Sequence, residues 1–275
     1  MLRHESDSGI TRSTGGTTIN NKVVQSDQLT RFSDKILDHN GVHPLDYPES
    51  GWFLVPFPAS KGIPFNSDNL ATVNDYSFTE DHNFQALQSV AKSRWKEGTR
   101  DISWRLHVFL WAIETATTRS PESDIVELGT GQGFMAAASC QRIAQLGAFS
   151  GRFFLFDTFE REDQSLFYYS DDVEEVRSYF ERFDFVRVIE GRLPASLRLA
   201  DPKRISFLHV DLNSASAEDA SLDEISPLLE EGALVLFDDA GNPGCQDQLD
   251  VAKNFAGSRK RPLLQLPTGQ ALLFT

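Results

Sequence analysis

The chain has 275 residues, of which 40% are apolar and 11% aromatic, enough to bury a sizeable core in one or two domains. Its formal charge of −14 argues against nucleic acid or an anionic membrane as a partner, because both demand clustered Lys and Arg. No apolar run reaches the ~18 residues that read as a bilayer span, Met1 to Asn21 lack the apolar centre of a secretory signal, and only two cysteines, Cys140 and Cys245, point to a reducing, cytoplasmic compartment without a disulfide.

Residues 1 to 22 are rich in Ser, Thr, Gly and Asn and have no period, so a disordered or loosely attached arm is expected. Residues 23 to 75 mix Pro, Gly and Asn with Trp52, Phe53, Phe57 and Phe65. They read as an irregular cap whose aromatics pack on the main domain or line a pocket. From Asp81 to Thr118 the pattern becomes helical and extends the cap to residue 118. Phe84, Leu87 and Val90 recur at helical spacing. After Gly98, Trp104, Val108 and Trp111 share one face, with Leu106, Leu110 and Ile113 flanking it. Both helices are expected beside or over the glycine-rich turn that follows.

The main domain is expected over residues 119–275, where strands and helices alternate. Strands read at 124–128, 152–157, 184–189, 205–211, 233–238, 262–266 and 270–275. Helices read at about 132–146, 171–182, 218–230 and 245–256. This alternation predicts an α/β fold, a doubly wound, mostly parallel seven-stranded sheet with helices on both faces and an N-terminal helical cap. Ala136, Ala137, Ala138, Cys140, Ile143 and Ala144 let the first of these helices lie close to the sheet. Gly147 and Gly257 are expected as C-caps, and Pro227 should break the third helix. The turn Pro267-Thr268-Gly269-Gln270 makes the last strand antiparallel to its neighbour.

The chemistry concentrates at Asp124-Ile125-Val126-Glu127-Leu128-Gly129-Thr130-Gly131-Gln132-Gly133, a buried strand entering a glycine turn and then a helix. Such a turn offers free backbone N–H groups and a helix N-terminus to a ligand. The next strand, Arg152-Phe153-Phe154-Leu155-Phe156-Asp157, ends in an acid where a carboxylate can accept both ribose hydroxyls of a nucleoside, or simply cap a loop. Two adenosine cofactors compete. A nicotinamide dinucleotide expects G-x-G-x-x-G, but Phe134 stands at the third position. Glu127 would repel a pyrophosphate and attract the cationic amino group of a methionine moiety, which favours S-adenosylmethionine.

With these residues the chain resembles the class I S-adenosylmethionine-dependent methyltransferases, through Glu127 to Gly133, Asp157 and the terminal hairpin. More closely it resembles the macrocin O-methyltransferase type. The added matches are Phe156-Asp157-Thr158-Phe159-Glu160, His209-Val210-Asp211, Phe237-Asp238-Asp239-Ala240-Gly241 and Leu266-Pro267-Thr268-Gly269-Gln270. The resemblance spans residues 75 to 275. It implies that Gly129, Thr130, Gly131 and Gly133 wrap the methionine and ribose parts of the cofactor. Asp157 would hold the ribose, with Thr158 and Phe159 beside the adenine and Glu190-Gly191 at its edge, although Glu190 also reads as a solvated loop acid. The implied acceptor is a hydroxyl of a small molecule, a sugar or a secondary metabolite, and relatives often form homodimers.

Asp211, Asp238 and Asp239 fall at strand ends, where open parallel sheets bind ligands. Adjacent strands lie about 4.8 Å apart, so these acids can converge, and an all-oxygen set suits Mg²⁺. Alternatively Asp238 or Asp239 holds a loop. Relatives often read Asp-x-Asp-Leu-Tyr on the fourth strand, whereas this chain has Asp211-Leu212-Asn213-Ser214-Ala215 and lacks one acid. The catalytic set is read as Asp211 with His209, which shares its face two residues away. His209 also reads as a buried strand residue, and His82 is a lesser candidate base. Three rival readings stay open: a nicotinamide-dependent oxidoreductase, a non-catalytic nucleoside-binding protein and a metal-independent methyltransferase.

Overall fold

The computed structural model describes residues 12–13, 16–19, 22–25, 65–72, 74–95, 101–160 and 172–275. Most of the expected arm, and Trp52, Phe53, Phe57 and Gly98 of the expected cap, lie outside them. The chain divides into two units at Val73/Asn74, so the helices expected in the cap belong to the unit that holds the main sheet. In the first unit, strands β1 (Arg12–Ser13), β2 (Gly16–Ile19) and β3 (Lys22–Gln25) form an antiparallel meander. Strands β4 (Phe65–Ser67) and β5 (Leu70–Thr72) form a hairpin. Asp68 and Asn69 turn it with φ of 54° and 59°, as two-residue hairpin loops require.

The second unit opens with α1 (His82–Lys92), whose N-cap Asp81 accepts the Phe84 N–H at 2.9 Å. Next come α2 (Ser103–Arg119), β6 (Asp124–Leu128), α3 (Phe134–Leu146), β7 (Phe153–Asp157), α4 (Val173–Phe180) and β8 (Val186–Glu190). Then follow β9 (Ile205–Val210), α5 (Ala215–Ile225), β10 (Leu229–Phe237), α6 (Gln246–Ser258), β11 (Leu264–Gln265) and β12 (Ala271–Phe274). Seven strands form one sheet in the order β11-β12-β10-β9-β6-β7-β8. Strands β6 to β10 pair in parallel, and β12 runs antiparallel to both β10 and β11. The doubly wound, mostly parallel sheet with an antiparallel end is thus present. No helix among the described residues is long and apolar enough to cross a membrane.

Several local expectations change. The third helix of the alternating region ends at Ile225, and Pro227 sits in a 3-10 turn at Ser226–Leu228. Strand β10 therefore starts at Leu229, four residues before the apolar run. Gly147 does cap α3, with φ of 71°. Gly257 caps nothing: it lies inside α6, and the left-handed residue beyond that helix is Lys260. On α2 the buried stripe is Leu106, Phe109, Leu110, Ile113 and Ala116, whereas Trp111 is 47% exposed. Its ring is large, but the register of the smaller apolar residues decides which face meets the sheet.

Two apolar layers flank the sheet. Along β6, Ile125 faces the layer with α1, α2 and α3, while Val126 and Leu128 face the layer with α5 and α6. On β9, Phe207 faces the first layer and Leu208 and Val210 the second. Because side chains alternate along a strand, Glu127, His209 and Asp238 all fall on the α2 face. Phe109 of α2 is fully buried there, edge-on to Phe207 at 5.4 Å and to His209 at 4.6 Å between ring centres. Phe109→Ala is expected to lower stability by about 3–5 kcal/mol through the cavity it leaves. Urea unfolding monitored by circular dichroism measures this.

Candidate active site

The glycine turn leaves β6 at the centre of the sheet. The N–H groups of Gly129 and Thr130 donate to the Phe156 carbonyl at 2.8 and 3.1 Å, tying the turn to β7. A Cβ on Gly129 would lie 1.8 Å from the Asp211 carbonyl oxygen, so only glycine lets the β6 and β9 exits touch. Gly133 opens α3, and a Cβ there would meet the Phe180 ring at 2.6 Å.

Asp157 reaches back to this turn. Its Oδ2 accepts the Gly131 N–H at 2.6 Å, and its Oδ1 accepts the Phe159 N–H at 2.9 Å. The Gly191 N–H donates to the Asp157 carbonyl at 2.9 Å, bringing in the β8 exit. Phe159 is buried, Thr158 Oγ1 accepts the Glu160 N–H at 3.2 Å, and Glu190 pairs with Arg177 at 3.1 Å on the surface. The turn, Asp157, Thr158, Phe159 and Gly191 therefore gather at the adjoining ends of β6, β7 and β8. Gln132, within the turn, has a buried Nε2 without a hydrogen-bond partner, the mark of a place that suits a polar ligand. Glu127 is turned differently. Only 2% exposed, it accepts from Thr130 Oγ1 at 3.2 Å and lies 3.1 Å from His209 Nδ1.

The second half of the site is acidic. The Asp211 N–H donates to the Leu128 carbonyl at 2.8 Å, and the Asp238 N–H to the Val210 carbonyl at 3.0 Å. These bonds extend the ladders by one residue and bring Asp211, Asp238 and Asp239 together, with ligand atoms within 4.8 Å of one another. His209 is buried beside them, as one of the two sequence readings expected, and its Nε2 lies 3.8 Å from Asp238 Oδ1. His82, at the exposed start of α1, is not part of this cluster.

Arg105, absent from the sequence-based site, completes the acidic half. The side chain sits on α2 and is almost fully buried. Its Nη1 donates to Asp238 Oδ2 at 2.6 Å and to Asp239 Oδ1 at 2.9 Å, and its Nη2 donates to Asn242 Oδ1 at 3.2 Å. Gln270, beyond the terminal turn, donates to Asp238 Oδ1 at 3.0 Å. The available signal for Arg105 was its phase: it shares the helical stripe of Phe109 and Ala112, where a charge needs a partner.

These contacts set the ionisation of the site. Burial raises the Asp211 carboxyl well above the usual carboxylate range, and the charges of Asp238 and Asp239 add to it. Burial acts the same way on Asp238, but the Arg105 charge, with His209 nearby and the Gln270 hydrogen bond, outweighs it and holds that carboxyl low. Burial alone would lower His209, yet the neighbouring carboxylates of Asp238 and Glu127 push it up to about 10. Burial raises Glu127 too, partly offset by His209.

Residues 126–240 match the family model described as a methyltransferase domain. That interval contains the glycine turn, Asp157 and all three aspartates. No curated protein matches the chain. Among solved structures, the O-methyltransferase NovP superposes with a TM-score of 0.53 at 18% identity, covering 62% of this chain and 78% of that one. A putative caffeoyl-CoA O-methyltransferase from Staphylococcus aureus gives a TM-score of 0.50 at 14% identity, covering 72% and 95%. The fold is that of the α/β methyltransferases.

A further acid lies beneath the Asp211 loop. Glu218, in the first turn of α5, is buried and accepts from Gln248 Nε2 at 2.7 Å. Burial pushes its carboxyl up to about 7, although the Gln248 bond opposes this. The folded protein then keeps a proton that the unfolded chain releases near 4.5, so this group's stabilisation fades as pH rises through about 7. Glu218→Gln is expected to gain stability relative to the parent by up to about 3 kcal/mol between pH 4.5 and 8. Paired urea titrations across that range read the difference, and parallel curves would sink it.

Proposed function

We propose that the protein is an S-adenosylmethionine-dependent O-methyltransferase acting on a hydroxyl of a small molecule, a sugar or a secondary metabolite. One observation carries the reading. The turn clasped by Asp157 and the aspartate cluster meet at Gly129 and Asp211, within the stretch that matches a methyltransferase domain. A donor and an acceptor bound in these two halves would be neighbours, and holding them in line is the main task of such an enzyme.

When bound, S-adenosylmethionine supplies an electrophilic methyl group. The turn from Gly129 to Gly133 and the N-terminus of α3 offer N–H groups to its polar parts. Asp157, which now accepts the Gly131 N–H, would hold the ribose hydroxyls. Glu127, directly behind the turn, adds negative charge that favours a cationic methionine moiety over a pyrophosphate. Glu190, Gly191, Thr158 and Phe159 would border the adenine. Alone of the three aspartates, Asp211 makes no ion pair among the described residues, and it is placed to bind the acceptor hydroxyl. His209 is too deeply buried to touch the acceptor, and it positions Glu127 and Asp238 between which it lies.

The aspartates fit a divalent cation in donor chemistry and spacing, and Asp211, Asp238 and Asp239 would hold Mg²⁺. Bound there, it would lower the pKa of an acceptor hydroxyl. Against a nicotinamide dinucleotide stands Phe134, whose largely buried ring occupies the place where the fingerprint needs its third glycine.

Calorimetry on the full chain should show binding of S-adenosylhomocysteine and none of NAD⁺. Asp157→Ala should weaken the former by about tenfold or more, the loss of charge-assisted bonds to two hydroxyls. Transfer of a labelled methyl group to a panel of phenols and sugars then separates an enzyme from a nucleoside-binding protein. Binding of NAD⁺ instead would overturn the reading.

A further inference from the structure

We propose that Arg105 is the cation this aspartate cluster already carries, so that a divalent ion entering the cluster must displace the guanidinium from Asp238 and Asp239. The inference rests on the proposed metal-binding role of the three aspartates and goes beyond it by assigning the ion a competitor.

The geometry points to exclusion. A Mg²⁺ ion sits ~2.1 Å from each ligand oxygen. The Arg105 Nη1 lies 2.6 Å from Asp238 Oδ2 and 2.9 Å from Asp239 Oδ1, between the two carboxylates that an ion would bridge. Two positive groups cannot share that position, and the second oxygen of Asp238 is held by Gln270 Nε2 at 3.0 Å. An arginine keeps its charge at every accessible pH, so deprotonation offers no escape. It has to move.

A second arrangement is within reach. The His209 Nε2 is buried without a hydrogen-bond partner and faces Asp238 Oδ1 at 3.8 Å, just beyond bonding distance. Once Asp238 is freed from Arg105, a short rotation brings it to this nitrogen, which compensates part of the lost ion pair. Arg105 is the third residue of α2. Displacement moves the guanidinium away from Asp238, Asp239 and Asn242, so ion binding is reported on a side chain that supplies no ligand.

The test uses Mn²⁺ as the probe and the full chain. Electron paramagnetic resonance of free Mn²⁺ gives affinities for the parent, Arg105→Gln and Arg105→Lys, with Mg²⁺ as displacer. Arg105→Gln removes the competing charge while keeping a polar head group and should bind Mn²⁺ about tenfold tighter or more. Arg105→Lys keeps the charge and should stay within about threefold of the parent. Equal or weaker Mn²⁺ binding by a folded Arg105→Gln protein overturns the proposal. In case that variant does not fold, NMR of the guanidinium N–H groups of the parent gives a separate answer. Saturating Mg²⁺ should shift the Arg105 Nη resonances as their bonds to Asp238 and Asp239 break, and unchanged Arg105 signals overturn displacement. Retained S-adenosylhomocysteine binding with no Mn²⁺ binding in any variant sinks this inference alone, whereas loss of nucleoside binding in the parent sinks the proposed function.

Discussion

The constraint on which the site depends is the burial of charge on one face of the sheet. Glu127, His209 and Asp238 all point from parallel strands into the layer shared with α2. Each unpaired ion there would cost several kcal/mol. The row is tolerated because it is closed at both ends. Thr130 satisfies Glu127 at one end, and Arg105 and Gln270 satisfy Asp238 at the other, with His209 between. Removing Arg105 would leave a buried carboxylate without its cation, which is why so polar a residue belongs on the buried stripe of an otherwise apolar helix.

Backbone contact joins this charged row to the glycine turn. The missing Cβ of Gly129 lets the Asp211 carbonyl approach, and the Leu128 carbonyl takes the Asp211 N–H. The exits of β6 and β9 are thereby fixed against each other at the point where the sheet order reverses, the crevice in which open α/β sheets bind their ligands. Asp157 does for β7 what Gly129 does for β9. Its carboxylate spans from the Gly131 N–H to the Phe159 N–H, and so one side chain shapes two loops.

The strands were legible because a strand buried on both faces is an unbroken apolar run bounded by polar residues, and β6, β7 and β9 read that way within a residue or two. The start of β10 was not. Leu229 joins the sheet by pairing with Ile205 across an irregular stretch, and nothing in Glu230-Glu231-Gly232 announces a strand. The apolar period of α2 left open which side meets the sheet: the flanking Leu106, Leu110 and Ile113 are buried, whereas Trp111 stays half outside. Strand-end acids were legible from position alone. Arg105 was not, since its partners lie more than 130 positions away in the chain. A charge in the core phase of a helix says that a partner exists without saying where.

The two halves of the site are held by different kinds of bond, and this bears on what each can do. The glycine turn is fixed by main-chain N–H groups donating to Phe156 and to Asp157. Those groups have little freedom. The aspartates start from main-chain positions that are equally fixed, but the carboxylates of Asp238 and Asp239 are aimed by side chains: Arg105 from α2, Gln270 from the terminal hairpin and Asn242 from the β10 exit. Side-chain bonds can be exchanged one for another at modest cost when a partner such as the His209 Nε2 stands ready. Adjustability is therefore concentrated at the aspartate cluster, and its range is set by α2, the element that carries the guanidinium and packs Phe109 against the same histidine.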